Sequence, residues 1–163
     1  MVSSLAKTLV FTLVVPGTVG VYVPWRLRGT SPHAATASGW LGLMLLVAGT
    51  AVYLWCAWDF ASFGRGTPLP LDAPTRLVAR GLYRVVRNPM YLGVLLVIFG
   101  QALRFASPAT LGYGIAVALA FHLFVLLYEE PALHSQFGRT YDEYRQKVPR
   151  WIPRPGARPG QAE

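Results

Sequence analysis

Two polar clusters contain the residue types that could do chemistry in this chain, and the first is Arg87-Asn88-Pro89. An Asn-Pro pair favours turn initiation, and Pro89 suits the first position of a helix because the amide hydrogen it lacks would have no partner there. Asn88 would then be the N-cap residue, with its side-chain oxygen available to backbone donors. The same helix N-terminus, together with Arg87, could bind an anionic group such as a carboxylate. Both interpretations fit the spacing, and they can hold together.

The second cluster is Tyr128-Glu129-Glu130-Pro131, at the end of a long apolar stretch. Two glutamates at a helix C-terminus face the negative end of the helix dipole, which costs about 0.3–1 kcal/mol for each charge. A bound cation would compensate for this cost, whereas side chains that point into water would need no ligand. The position therefore indicates a cation-binding site, with a solvated helix end as the alternative.

The sequence has too few cysteines for a disulfide and too few Cys and His ligands for a metal cluster. It contains one cysteine, Cys56, and three scattered histidines, His33, His122 and His134. One cysteine cannot form an intrachain disulfide, and this set cannot form a tetrahedral Cys/His cluster. We therefore expect any chemistry to use carboxylates, arginines, amides, tyrosines or an organic cofactor, without a metal.

The elements that must position these residues are apolar helices. The 163 residues are 53% hydrophobic and 13% charged, with a mean hydropathy of +0.40, which is unlike an ordinary soluble domain. A membrane-spanning helix needs about 20 apolar residues, and four stretches meet or approach that length: 5–23, 40–58, 88–103 and 105–128. We predict an all-α membrane protein in which residues 1–152 form one domain with about four transmembrane helices. Residues 153–163, rich in proline and glycine, are predicted to be a loose tail.

The basic residues predict the orientation of these helices. If both termini are cytoplasmic, twelve Lys and Arg residues fall on the cytoplasmic side and three on the other, which is the asymmetry that sets topology. Apart from Glu163 at the end of the sequence, the acidic residues lie in or beside the predicted cytoplasmic loop and at the start of the tail. We therefore expect a cytoplasmic (inner) membrane location with the site on the cytoplasmic face. The basic residues then set the orientation in the membrane and contact anionic lipid headgroups, and no nucleic-acid partner is expected.

Pairs of glycines predict where helices pack closely. Gly42 and Gly49 lie seven residues apart, as do Gly93 and Gly100, which places each pair on one helix face where helices can approach closely.

In the tail, Thr140-Tyr141-Asp142-Glu143 has the spacing of a capping box. Four apolar or aromatic residues then share one helical face: Phe137, Tyr141, Tyr144 and Val148. The tail therefore predicts a short amphipathic helix on the cytoplasmic membrane surface.

Three motifs in order carry a family resemblance. They are Gly81-x-Tyr83-x-x-x-Arg87-Asn88-Pro89-x-Tyr91-x-Gly93, then Glu129-Glu130, then Phe137-Gly138-x-x-Tyr141-x-x-Tyr144-x-x-x-Val148-Pro149. With a spanning hairpin between them, they resemble the integral-membrane methyltransferases of the isoprenylcysteine carboxyl methyltransferase and phospholipid methyltransferase superfamily. The resemblance covers residues 75–153, about half of the chain. The first two spans match only as hydrophobic helices.

The resemblance implies an S-adenosylmethionine-dependent enzyme that methylates a lipophilic small molecule or lipid entering from the bilayer. The cofactor would lie at the cytoplasmic mouth, in contact with Leu77, Val78, Tyr83, Asn88, Pro89, Tyr91 and Glu129. Tyr83 would contact the adenosine side, and the segment from Asn88 to Tyr91 would surround the methionine moiety. Glu129 would supply a carboxylate. We take Glu130 and Arg87 as the candidate catalytic residues.

The chain departs from the family pattern at two positions. The family usually has histidine at Asn88, and an amide can donate a hydrogen bond as neutral imidazole does but cannot titrate. In the isoprenylcysteine enzymes an arginine that engages substrate precedes the glutamates, where this chain has Val125. This difference argues against a prenylated-cysteine carboxylate as the acceptor.

Two other classes of function compete with the enzyme. A small oligomeric transporter usually carries an ionisable residue within the membrane, and the predicted spans offer only Lys7 near one end and His122. A non-enzymatic membrane scaffold would have no use for paired glutamates and an ordered tail. The sequence leaves the chemical identity of the acceptor and the oligomeric state open.

Overall fold

The computed structural model describes residues 14–29, 36–60, 62 and 77–153, and every regular element in these ranges is helical. Helix α1 covers residues 14–27 and includes a π-helical turn, Thr18–Tyr22. It is followed by α2 (Ala37–Asp59), α3 (Pro89–Arg104), α4 (Pro108–Phe124), α5 (Glu130–Phe137) and α6 (Arg139–Lys147). A 3₁₀ turn, Gly81–Arg84, precedes α3, and a second π turn, Val125–Glu129, joins α4 to α5. The all-α fold class predicted from the sequence is confirmed for these ranges.

Two of the described helices are long and apolar enough to cross a membrane. They are α2, with 23 residues, and the continuous helix Pro108–Phe137, with 30 residues. Helix α3 is apolar but has 16 residues, so it is as short as its sequence predicted. Residues 5–13 of the first predicted span, and residues 154–163 of the predicted loose tail, lie outside the described residues. The count of four spans and their orientation stay predictions.

Helices α2 and α3 pack backbone to backbone through their glycines. A Cβ atom added to Gly49 would lie 2.6 Å from the carbonyl oxygen of Gly93, and one added to Gly42 would lie 2.6 Å from that of Gly100. No larger side chain fits this contact unless the helices separate. The predicted role of the paired glycines in helix packing is confirmed, and the contact places the N-terminus of α3 beside the C-terminal part of α2.

Side-chain donors hold α1 against the other helices. Gln101 Nε2 donates to the carbonyl oxygen of Gly20 at 2.6 Å, and the hydroxyl of Tyr113 donates to that of Val19 at 3.0 Å. Both acceptors lie in the π turn of α1. Polar groups in an apolar interior need such partners, so these bonds fix α1 beside α3 and α4.

The amphipathic helix forms as α6, but its apolar face packs against protein. Tyr141 and Val148 are buried, and the hydroxyl of Tyr144 donates to the backbone oxygen of Tyr83 at 2.7 Å. The expectation that this face lies on the membrane surface is therefore wrong for Tyr141 and Tyr144. The predicted capping box is also absent, because Gly138 is the N-cap residue and no side chain caps the helix.

Candidate functional site

A cavity of about 110 Å³ lies between α1, α2, α3 and α4 near the N-terminus of α3. Its apolar lining consists of Val15, Pro16, Val19, Phe60, Met90, Val94 and Phe121. Its polar lining consists of Tyr53, Tyr83, Arg87, Asn88, Tyr91 and Glu129. The cavity is therefore apolar on the side of α1 and has one cation and one anion where the two sequence clusters meet.

Glu129 provides the negative charge of this cavity. It lies within the continuous helix Pro108–Phe137, so the prediction that the two glutamates end a helix is wrong, and the dipole cost argued from it does not apply. Glu129 is the last residue of the π turn Val125–Glu129, and such turns change which side chains of a helix face inward. The hydroxyl of Tyr91 donates to Glu129 Oε2 at 2.8 Å. This bond joins two candidate cofactor contacts that are 38 residues apart in the sequence.

Glu130, the next residue, does not line the cavity. Its Oε1 accepts from Arg150 Nε at 2.6 Å, and its Oε2 accepts from Arg150 Nη2 at 2.9 Å, a bidentate pair. Arg87 Nη1 lies 3.0 Å from the same Oε1. Both carboxylate oxygens are therefore engaged by guanidinium groups, so Glu130 is held as a structural ion-pair partner in this arrangement. Its predicted catalytic role stays a prediction.

Arg87 provides the positive charge of the cavity. Nη1 contacts Glu130 and also donates to the hydroxyl of Tyr141 at 3.2 Å. Nε is buried and has no hydrogen-bond partner within the part of the chain that the structure describes. An unpaired buried donor costs free energy, so an anionic group in the cavity would be a favourable partner for Arg87.

Asn88 lies at the N-cap position of α3, as predicted, but its side chain does not cap the helix. Instead Nδ2 donates to the backbone oxygen of Arg150 at 3.2 Å. The predicted capping hydrogen bond is therefore absent, because the amide turns toward the segment that follows α6. Pro89 is the first residue of α3, as expected, and is buried outside the cavity lining.

Tyr83 is positioned by the turn that precedes α3. Gly81 has a φ of 54°, and an added Cβ would lie 2.5 Å from Asp59 Oδ2, so this turn needs glycine on both grounds. The ring of Tyr83 packs edge-on against Phe60 at 5.6 Å between centroids. Burial raises the pKa of Tyr83, and the neighbouring Cys56 raises it further, so the phenol stays neutral.

Five of the nine predicted site residues line the cavity: Tyr83, Arg87, Asn88, Tyr91 and Glu129. The other four do not line it: Leu77, Val78, Pro89 and Glu130. Val78 is buried and Leu77 half-buried. Their predicted contacts with a cofactor stay predictions.

Two features of the site were not predicted from the sequence: the aromatic walls of the cavity and the segment after α6. Phe60 and Phe121 line the cavity, but in the sequence they are ordinary apolar residues of long apolar stretches. Arg150 was counted only among the basic residues of the tail. The one available signal was its position directly after Val148-Pro149, within the third motif.

The donor set fits a zwitterionic organic cofactor. S-adenosylmethionine carries an ammonium and a sulfonium, which suit Glu129, and a carboxylate, which suits the unpaired Nε of Arg87. Its aromatic base suits a wall of tyrosine and phenylalanine rings. Among the described residues no group of three His, Cys, Asp or Glu side chains could hold a metal ion.

Comparison with known proteins gives consistent matches. A family model described as phospholipid methyltransferase matches residues 37–140. The chain is 30% identical over 142 residues to methanethiol S-methyltransferase 2 of Bradyrhizobium diazoefficiens. This alignment covers 82% of this chain and 51% of that protein. It is 35% identical over 78 residues to protein-S-isoprenylcysteine O-methyltransferase B of Arabidopsis thaliana, covering 48% of this chain and 40% of that protein.

A probable protein-S-isoprenylcysteine O-methyltransferase of Oryza sativa subsp. indica is also similar. It is 29% identical over 115 residues, covering 70% of this chain and 60% of that protein. With 51%, 40% and 60% of their lengths matched, this chain spans about half the length of these curated relatives.

Proposed function

Because the chain belongs to the phospholipid methyltransferase family, we propose that it transfers a methyl group from S-adenosylmethionine to a lipophilic acceptor at the cytoplasmic face of a membrane. One observation carries this proposal. Glu129 and Arg87, of opposite charge, line one cavity together with Tyr83 and Tyr91. This is the set of groups that a zwitterionic cofactor with an aromatic base requires.

Each polar side chain of the cavity has a distinct role in this proposal. Glu129 binds the ammonium group of the cofactor, and the bond from Tyr91 holds its carboxylate in one orientation. Arg87 binds the cofactor carboxylate through the nitrogen that has no described partner. Tyr83 and Phe60 contact the adenosine ring. Of the two candidate catalytic residues, Arg87 thus contacts the cofactor directly. Glu130 has no contact with the cofactor and instead orients Arg87.

Positioning is the main contribution of this chain to methyl transfer. The bound cofactor supplies an electrophilic methyl group on its sulfonium, and no metal is needed for an in-line displacement. Val94, Met90 and Phe121 line the cavity with apolar groups, and a water-poor site would strengthen the electrostatic contacts of Glu129 and Arg87. Holding donor and acceptor at a short distance in one geometry accounts for most of the rate increase expected of such a site.

The acceptor enters from the apolar side of the cavity. Val15, Pro16 and Val19 of α1 form that side, and they offer no charged group for a polar substrate. The relatives are named for two acceptors, methanethiol and isoprenylcysteine, and the family for phospholipid. A lipophilic thiol, carboxylate or amine is therefore the proposed class of acceptor.

The test is cofactor binding followed by transfer. Calorimetry of the purified protein in detergent, without added metal, is expected to show binding of S-adenosylmethionine. Transfer is then measured with three lipophilic acceptors that differ only in a thiol, a carboxylate or an amine. A folded protein that fails to bind at millimolar cofactor would refute the methyltransferase and leave the transporter or the scaffold.

The cytoplasmic position of the site is a separate part of the proposal. It is supported by the basic residues of the loop before α3 and of the tail. A reporter that is active only in the cytoplasm, fused after Glu163, is expected to be active. Activity of a periplasmic reporter at the same position would contradict this orientation.

A further inference from the structure

The segment after α6, residues 148–153, lies across the N-terminus of α3, and we call it the C-terminal strap. The backbone amide of Arg87 donates to the oxygen of Pro149 at 2.8 Å. The side chain of Asn88 donates to the oxygen of Arg150 at 3.2 Å. Two candidate cofactor contacts are therefore attached to a segment that is more than 60 residues away in the sequence.

Arg150 reaches Arg87 through a shared carboxylate. It forms the bidentate pair with Glu130 described above, and Arg87 contacts the same carboxylate. The Glu130 side chain is 10% exposed, so this ion-pair group is shielded from water. Because both guanidinium groups contact the same oxygen, Oε1 of Glu130, the position of Arg87 depends on where Arg150 holds Glu130.

Trp151 packs against Tyr91, the residue that donates a hydrogen bond to Glu129. Its Nε1 donates to Nδ1 of His122 at 3.1 Å, which fixes the indole against α4. The indole ring then lies 6.4 Å from the ring of Tyr91, whose other neighbour is Phe121 at 4.7 Å. Tyr91 is thus held between two rings with its hydroxyl directed at Glu129.

We propose that Arg150 and Trp151 are positioning residues of the methyl-donor site, and this inference rests on the proposed function. Neither residue lines the cavity. Arg150 sets the position of Arg87 through Glu130, and Trp151 sets the position of Tyr91 and so of Glu129. The strap therefore determines the distance between the cation and the anion that bind the two ends of the cofactor's amino-acid group.

Conservative substitutions separate positioning from simple attachment of the strap. Arg150→Lys keeps the charge but loses the planar two-point contact with Glu130. Trp151→Phe keeps a ring beside Tyr91 but loses the bond to His122. Ile152→Ala is the matched control, because Ile152 belongs to the same strap and is 79% exposed.

The experiment measures cofactor dissociation constants, the KM of each substrate, kcat and thermal unfolding for the four proteins in detergent. We expect the dissociation constant and KM for S-adenosylmethionine to rise by roughly three- to tenfold in Arg150→Lys and Trp151→Phe, the range for one lost hydrogen bond. The KM for the acceptor should stay near that of Ile152→Ala, and the unfolding temperature should fall by no more than the loss of one hydrogen bond explains. A lower unfolding temperature with unchanged cofactor affinity would overturn the proposal, since the strap would then be only a tether.

Hydrogen exchange of the wild-type protein tests the same proposal if a variant does not fold. Cofactor is expected to slow amide exchange in residues 87–91 and also in residues 148–153. Slower exchange in residues 87–91 alone would overturn the role of the strap while leaving the proposed function intact. Absence of any cofactor binding by the wild-type protein would instead refute the function itself.

Discussion

Glu129 and Glu130 are adjacent in the sequence and have different environments. Glu129 faces the cavity and accepts from the Tyr91 hydroxyl, whereas Glu130 is engaged by Arg87 and Arg150. Successive side chains on a helix point about 100° apart, from 3.6 residues per turn. One position is therefore available to a ligand, and the other to the packing of the C-terminal strap.

Substitution of each glutamate by glutamine should separate these roles. Glu129→Gln removes the charge that faces the cofactor, and we expect affinity to fall by about 1.5–3 kcal/mol, the range for a charge-assisted hydrogen bond. Glu130→Gln should lower affinity less and instead lower stability by about 1–3 kcal/mol, because two guanidinium groups lose their anion. Calorimetry and thermal unfolding measure the two effects. Normal cofactor binding by Glu129→Gln would show that the cavity carboxylate does not hold the cofactor.

Asn88 has an amide where the family resemblance implies histidine, and its side chain bonds to the strap. Asn88→His can still donate a hydrogen bond, so we expect it to retain activity and to acquire a pH dependence near the usual imidazole pKa of about 6.5. The wild-type rate should show no titration from this position. The measurement is the transfer rate of both proteins from about pH 5.5 to 8.5.

Asn88→Ala completes this series. It removes the donor to Arg150, and we expect a loss of about 0.5–1.5 kcal/mol of stability together with weaker cofactor binding. Thermal unfolding and calorimetry are followed separately. Unchanged cofactor affinity and turnover in this variant would show that Asn88 has a structural role only.

At the scale of elements, the close contact of α2 and α3 determines where the α3 N-terminus lies. The glycines of both helices allow it, and any displacement of α3 would move Arg87, Asn88 and Tyr91 together. The π turns Thr18–Tyr22 and Val125–Glu129 act at the same scale. One offers carbonyl groups of α1 to Gln101 and Tyr113, and the other ends at Glu129.

A methyl group added at this contact should destabilise the fold. In Gly49→Ala the new Cβ would lie 2.6 Å from the Gly93 oxygen, and we expect a loss of about 1–3 kcal/mol as the helices separate. Gly112→Ala is the control, since nothing lies within 4 Å of its Cβ position in α4. Thermal unfolding in detergent compares them. Equal stability of the two variants would contradict the packing argument.

At the scale of the whole molecule, large apolar side chains cover the outer faces of α2 and of the helix that begins at α4. Met44 is 64% exposed and Leu127 is 71% exposed. A contiguous apolar surface of this kind suits lipid rather than water. In the proposed function, the site takes a cofactor from water and an acceptor from the bilayer.

Cofactor should therefore stabilise the whole fold. A ligand present at 100 times its dissociation constant adds about 2.7 kcal/mol to the free energy of unfolding, and we expect S-adenosylmethionine to raise the unfolding temperature accordingly. A chelator such as EDTA should leave stability and activity unchanged. Loss of stability on chelation, restored by a divalent cation, would show a structural metal and contradict the expected metal-free site.

Local patterns determined the helices of this protein. Uninterrupted apolar stretches predicted α2 and the helix that begins at α4, Asn88-Pro89 predicted the start of α3, and paired glycines predicted the α2–α3 contact. These features depend on residues close together in the chain or on repeats along one helix. The sequence could therefore identify Glu129, Arg87, Tyr83 and Tyr91 as candidates without knowing their partners.

Only the tertiary structure decided which of these candidates face the cavity and which hold the fold together. Glu130 pairs with Arg150, Asn88 with the backbone of Arg150, and Trp151 with His122. These partners are 20, 62 and 29 residues apart. The same separation explains why the apolar face of α6 was assigned to the membrane, since a helix pattern shows that one face is buried but does not show against what. Contacts of this range follow from how the helices pack, which no local pattern specifies.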